Sequence, residues 1–325
     1  MPAPLFPISD YWGFYAAFTA LVLVLLALDL GVFHRRAHAV GFGEATVWIC
    51  VWNALALLFC SGLYRYASWK FGNAGAKQVA LEFLTGYIVE ASLSLDNMFV
   101  FLLVFAYFRI PAEHQHRVLF YGILGALLFR GIFIALGSAL LQYTAVVILF
   151  GVFLIFTGIK MMLVRERQLK PEKTLVMRLM RKILPVTPEL AGQKLVSRVA
   201  GKLHATPLLL TLAVVEAMDI IFAVDSVPAI FAITREPFIV YTSNVFAILG
   251  LRSMYFLLAG AIGRFHLLHY GLAAILIFVG LKMSWLNAQW DGHFPIAISL
   301  GVIGGILAAS IGLSFVFPKR GTAVD

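Results

Sequence analysis

Nine long apolar runs constrain this chain more than any other feature. They fall at about 11–33, 44–64, 79–108, 116–141, 144–163, 206–234, 239–262, 269–287 and 295–317. A helix rises 1.5 Å per residue, so about 20 apolar residues span a ~30 Å hydrocarbon layer. Once the runs are laid end to end, little sequence is left for a soluble domain. The chain is 62% hydrophobic and 13% charged, whereas soluble domains are about half apolar and a quarter charged. The predicted fold class is therefore all-α: a polytopic membrane protein with about nine transmembrane helices. The run at 79–108 is too long for a perpendicular helix and is expected to tilt, break or leave the membrane. The opening "MPAPLFPISDYW" has no basic region before the first apolar run, so it is not read as a cleavable signal. Cys50 and Cys60 share one predicted span, about 15 Å apart along a helix, too far for a disulfide.

The net charge of +9 could suggest nucleic acid, but its location points to lipid. With the N-terminus outside, the inward loops carry 17 Lys and Arg, ten of them in the segment 164–205, and the outward loops carry 4. The short inward loops alone hold 7. This positive-inside asymmetry predicts an outside N-terminus and a cytoplasmic C-terminus. Within the long loop, "EKTLVMRLMRKIL" alternates apolar residues with bases. It reads as an amphipathic helix on anionic lipid, with partner docking as the other reading.

The chain also repeats itself. "YGILGALLFRG" (121–131) aligns with "SNVFAILGLRS" (243–253), and "LIFTGIKMM" (154–162) with "LIFVGLKMS" (276–284), both at an offset of 122. Arg130 falls on Arg252 and Lys160 on Lys282. After a small gap, Glu90 pairs with Asp219 and Asp96 with Asp225. Each repeat holds three spans, an odd number, so the halves are predicted to be inverted, the build of many secondary transporters. The expected organisation is two N-terminal helices (1–78), a first repeat (79–163), a basic cytoplasmic loop (164–205), a second repeat (206–287), and a last helix with a cytoplasmic tail (288–325).

Five carboxylates then stand out: Glu90, Asp96, Glu216, Asp219 and Asp225. Each charge at mid-membrane costs about 2.5–3.5 kcal/mol on insertion scales. Arg130 and Arg252 offset two, leaving about three negative charges to be balanced by protons or a bound cation; Asp29, if inside the membrane, adds a sixth acid. Glu216 and Asp219 lie about 60° apart on a helix and share a face. Pro228 is expected to break that helix and free carbonyls beside Asp225 and Ser226. The candidate ligands are oxygens, with Asn97, Ser226 and Asn244 as auxiliaries, which suits Mg²⁺, Ca²⁺ or Mn²⁺. Met218 could tilt selection toward Mn²⁺, although membrane methionines are usually packing. The competing reading is that the acids and arginines only hold helices together. Lys160 and Lys282 are expected to snorkel to the interface, and Glu82 and Glu44 to lie there.

The stretches "FLTGYIVEASLSLDNMFVF" (83–101), "ATPLLLTLAVVEAMDIIFAVDSVPAIFAIT" (205–234), "FIVYTSNVFAILGLRSMYFLL" (238–258) and "YGLAAILIFVGLKM" (270–283) resemble the TerC family of integral membrane proteins, most closely its Alx branch. The resemblance implies a LysE-superfamily-like fold, a bacterial inner-membrane location, links to tellurite resistance and alkaline response, and Mn²⁺ export. It also implies that the five acids are the metal-pathway residues. The loop 164–205 departs from the usual Alx wording.

The sequence thus predicts a secondary exporter of divalent metal, most readily Mn²⁺, coupled to protons, and not an enzyme. No nucleotide-binding G-x-x-x-x-G-K-[ST] occurs. The expected partners are the bilayer, the divalent cation and protons. A membrane scaffold or assembly factor with structural acids is the alternative. An intramembrane aspartyl protease is disfavoured because its G-x-G-D signature is absent.

Overall fold

The computed structural model describes residues 5–28, 41–140, 143–163, 185–187, 190, 192–199, 202–259, 267–290 and 294–317; the side chains of Asp96, Phe99, Val199, Lys202 and Asp225 are outside the description. Asp29 and the predicted amphipathic helix at 172–184 also lie outside the described residues.

Eight helices among the described residues are long and apolar enough to cross a membrane. They are α1 (Ile8–Leu28), α2 (Phe42–Tyr107), α3 (Ala112–Leu140), α4 (Thr144–Leu163), α5 (Pro207–Phe231), α6 (Pro237–Ala259), α7 (Leu268–Gln289) and α8 (Ile296–Val316). At 66 residues, a straight α2 would be about 100 Å long, some three hydrocarbon layers. It is not straight. Gly72 adopts φ 80°, ψ 173°, a region open in practice only to glycine, and the chain turns back there. Phe59 packs on Phe83 with ring centroids 5.5 Å apart, and the Tyr87 hydroxyl donates to Asn53 Oδ1 at 3.0 Å. The earlier residue of each pair meets the later one in reverse order, as antiparallel arms require. The arms, 42–71 and 73–107, carry the apolar runs at 44–64 and 79–108. The second run does not break.

Helix α6 lies at the centre, with 83% of its most apolar window buried, against 17% for α1 and α8. The second arm of α2 packs on α6, α3 packs on α5, and α4 packs on α7. Exposed apolar residues such as Leu21, Leu23, Leu149 and Phe156 are suited to lipid, the solvent that hydropathy of this kind implies.

The α4–α7 crossing is made by glycines. A Cβ at Gly151 would lie 2.9 Å from the Gly280 carbonyl, and one at Gly158 would lie 2.7 Å from the Ala273 carbonyl. Without those carbons the backbones come close enough to touch, the usual way small residues join membrane helices. Adding 122 to 151 and 158 gives 273 and 280, so the two contacts exchange under the sequence offset.

Three expectations need correction. Pro228 does not break α5, which continues to Phe231. Proline costs one hydrogen bond, that to Val224, and so near the helix end the loss is tolerated. Lys282 does not snorkel. It is only 3% exposed and opens a π-helical turn, Lys282–Leu286, inside α7. Glu82 is not interfacial but buried, accepting from Thr234 Oγ1 at 2.5 Å and from Gln78 Nε2 at 2.9 Å.

Two small features were not anticipated. The described end of the basic loop forms an antiparallel hairpin of β1 (Val196–Val199) and β2 (Lys202–Ala205), with Val196 opposite Ala205. Thr206 Oγ1 donates to the carbonyls of Lys194 and Leu195, each at 2.8 Å, tying the hairpin to the start of α5. At the other end of the bundle, the Leu5 and Phe6 amides donate to the Glu236 carboxylate at 2.7 and 3.2 Å. Phe6 sits among Tyr11, Phe71 and Phe238.

Candidate functional site

Burying a guanidinium in an apolar bundle requires acceptors on several sides, because it has five N–H donors and no acceptor. Arg130, on α3, is 1% exposed. It forms an ion pair with Glu90 of the second arm of α2 and places Nη2 3.2 Å from Asp219 Oδ1 of α5. Nη1 reaches Ser226 Oγ and Asn244 Oδ1, each at 3.4 Å. One side chain thereby joins α2, α3, α5 and α6. Glu90 and Asp219, paired by the sequence repeat, meet on the same base rather than each holding its own.

Glu216 sits one turn before Asp219 and, as their 60° spacing predicts, also faces α3. Its carboxylate occupies the space that a Cβ at Gly125 would fill. Asp219 in addition borders a small cavity whose other walls are apolar, including Phe101, Leu119, Ile123 and Leu251.

The cluster is short of partners. Among the described residues, Glu90 Oε2, Asp219 Oδ2, Glu216 Oε2, Ser94 Oγ and Asn244 Nδ2 are buried with no hydrogen-bond partner. Two carboxylates contact the one guanidinium and Glu216 lies a turn away, so for these four groups two negative charges remain when all are ionised. A buried oxygen left unpaired costs about 1–3 kcal/mol, more when charged. Such a site favours whatever supplies positive charge.

The remaining candidates are placed as follows. Ser226 and Asn244 belong to the Arg130 network. Asn97 is buried on the same arm as Glu90. Met218 and Met98 lie within the main apolar core. Arg252 is buried, with His116 Nε2 3.4 Å from its Nη1. The side chains of Asp96 and Asp225 fall outside the described residues. Among those described, no three His, Cys, Asp or Glu side chains are gathered closely enough to hold a metal ion.

Sequence reasoning missed a second buried cluster. Glu82, Gly86 and Glu90 follow one another at four-residue spacing along one face of α2. At Gly86 a Cβ would lie 2.8 Å from Ser243 Oγ, so α6 approaches closely between the two acids. Beyond Glu82 comes Thr234, whose hydroxyl also accepts from the Glu236 amide at 3.1 Å, and Lys282 of α7 is buried as well. The signal was present: Lys282 stands in an apolar run with Glu82 eight residues from Glu90. What misled was its likeness to Lys160, which is exposed.

Comparison with known proteins places this arrangement. The family model "Integral membrane protein TerC family" matches residues 76–322. The chain belongs to the TerC family. It is 49% identical over 321 residues to "Uncharacterized membrane protein STKORF319" of Myxococcus xanthus, covering 98% of this chain and 97% of the relative. It is 49% identical over 298 residues to "Putative membrane-bound redox modulator Alx" of Escherichia coli strain K12, covering 91% of each. An "Uncharacterized membrane protein" of Rickettsia felis is 42% identical over 267 residues, covering 82% of this chain and 86% of the relative. These place the chain in an Alx-like TerC branch. No solved structure matches.

Proposed function

We propose that this TerC protein is a secondary transporter that moves a divalent cation, most readily Mn²⁺, out of the cytoplasm in exchange for protons. The observation that carries the reading is the Arg130 cluster: Glu90 and Asp219 share one base, Glu216 lies one turn away on α5, and several of their buried oxygens lack partners. Two positive charges, as one divalent ion or two protons, would balance the excess. Metal and proton would therefore compete for the same oxygens, which is the coupling an exchanger needs. The oxygen donors suit a hard cation; with Met218 in the core, the choice of Mn²⁺ rests on the TerC–Alx resemblance. The loop charges favour the inner membrane with the N-terminus outside. The exchanging contacts at the α4–α7 crossing support inverted repeats that rock about a fixed site.

The test is the purified chain in liposomes with a Mn²⁺-sensitive dye and an imposed proton gradient. Wild-type protein is expected to carry Mn²⁺. Glu216→Gln and Asp225→Asn are expected to lower the flux at least tenfold while membrane abundance holds. Wild-type flux in both variants removes the acids from the mechanism.

One observation favours a second reading, a scaffold with structural acids: Arg130 ties four helices together. On that reading no preparation carries metal, and the same variants lower abundance instead.

A further inference from the structure

Glu82 is 6% exposed and lies on the second arm of α2, eight residues before Glu90 and so about 12 Å nearer the Gly72 turn. In the proposed orientation that is the outer end. Its two carboxylate oxygens have separate partners. Gln78 Nε2, one turn earlier on the same arm, donates to Oε1 at 2.9 Å, and Thr234 Oγ1 donates to Oε2 at 2.5 Å. Glu236, beyond Thr234, and Lys282 of α7 are the charged residues that act on it electrostatically. Among the described residues, Glu82 forms no ion pair with a base.

Glu82 differs from Glu90 and Asp219 in what its partners are able to do. A guanidinium only donates, so Arg130 holds its acids as charged acceptors. A threonine hydroxyl donates or accepts, and a primary amide turned about its last bond offers a carbonyl oxygen where it offered an NH₂. Thr234 is held in place by the Glu236 amide, which donates to its hydroxyl oxygen at 3.1 Å. The two partners of Glu82 therefore serve it in both states. As a carboxylate, it accepts from each. As a carboxylic acid, its O–H at Oε1 donates to the turned Gln78 carbonyl while Thr234 still donates to Oε2. Neither state leaves a buried oxygen orphaned, a condition that a proton-carrying group inside an apolar bundle has to meet. Gln78 is exposed, which puts one partner at the surface of the bundle.

We propose that Glu82 is a proton-binding site distinct from the Arg130 cluster, loaded from the outer end, and that it carries a proton inward against the departing metal. On loading, a hydronium ion gives its proton to Oε1 and leaves as water; on release, the proton returns to water and the carboxylate remains. The site itself stands on the hydrogen bonds of Glu82. Its part in exchange rests on the export reading.

The test reads the carboxyl group directly. Full-length protein in liposomes is followed by infrared difference spectroscopy as the pH is lowered, in light and in heavy water. A protonated carboxyl gives a carbonyl band that shifts in heavy water. One such component is expected in the parent and in Glu216→Gln, and is expected to be absent from Glu82→Gln. Thr234→Val and Gln78→Leu keep the acid but each remove a partner that serves both states. They are expected to move the pH midpoint of that component by about one unit or more, tenfold in proton affinity, and serve if Glu82→Gln does not accumulate. A parent-like spectrum in Glu82→Gln, or an unmoved midpoint where only the other two accumulate, overturns the site. Mn²⁺ flux is measured on the same liposomes. Flux driven by a proton gradient is expected to be lost in Glu82→Gln while Mn²⁺–Mn²⁺ exchange without a gradient persists; parent-level gradient-driven flux in that variant overturns the role in exchange. A Glu82 band with no flux in any preparation keeps the proton site and removes the export reading.

Discussion

At the residue scale, the decisive group is Arg130. Its guanidinium satisfies parts of Glu90, Asp219, Ser226 and Asn244 at once. Removing it leaves two buried acids uncompensated, and breaking a buried pair from one side costs about 3–5 kcal/mol. Arg130→Met is therefore expected to lower the midpoint of thermal unfolding in detergent sharply, and adding Glu90→Gln to recover part of the loss. An additive double variant would separate the two side chains. Gly125 offers a finer probe. A methyl there collides with the Glu216 carboxylate, which must move. Gly125→Ala is expected to reduce Mn²⁺ flux about as much as Glu216→Gln does. That Glu90, Glu216, Asp219 and Arg130 stand out was legible in sequence because a charge in an apolar run has no cheap explanation. Lys282 and Glu82 were misread, because nothing local distinguishes a lysine that snorkels from one that turns inward.

At the element scale, one turn and one helix crossing depend on missing side chains. Gly72 turns α2 back at φ 80°, ψ 173°, and a non-glycine residue there costs about 1–3 kcal/mol. Gly72→Ala is expected to destabilise the protein by that amount in thermal unfolding, with no effect on the Arg130 cluster. At the α4–α7 crossing, a Cβ on Gly280 would lie 2.6 Å from the Gly151 carbonyl and 2.9 Å from the Ile155 amide nitrogen. Both are backbone atoms and cannot rotate away. Gly280→Val is expected to force the helices apart, read as loss of disulfide formation between cysteines introduced at Ile155 and Ile277. The sequence marked these helices by hydropathy. It did not mark the π-turn, which needs only one residue more than a regular turn and leaves no compositional trace.

At the scale of the whole molecule, the N-terminal segment is latched across the bundle by Glu236, which precedes α6 and lies outside the spans. Burial raises its carboxyl above the ordinary 4.5, and the Leu5 and Phe6 amides offset part of that rise. The folded form therefore keeps a proton that the unfolded chain has released. Stability from this group is greatest below 4.5 and falls as pH rises through the higher folded value. Glu236→Gln is expected to flatten the decline of the unfolding midpoint with pH in that window; an identical slope in both proteins would clear Glu236 of the effect. By itself the sequence determined that the chain is a helical membrane protein, where its apolar runs lie, and which acids are out of place. Those follow from composition and period, because lipid admits only backbone that satisfies its own hydrogen bonds. Only the tertiary structure decided that Glu90 and Asp219 share Arg130, that Glu216 rests on Gly125, and that Lys282 turns inward. Such choices depend on which helix faces which, and in a bundle where nearly every surface is apolar, hydropathy alone does not distinguish one face from another.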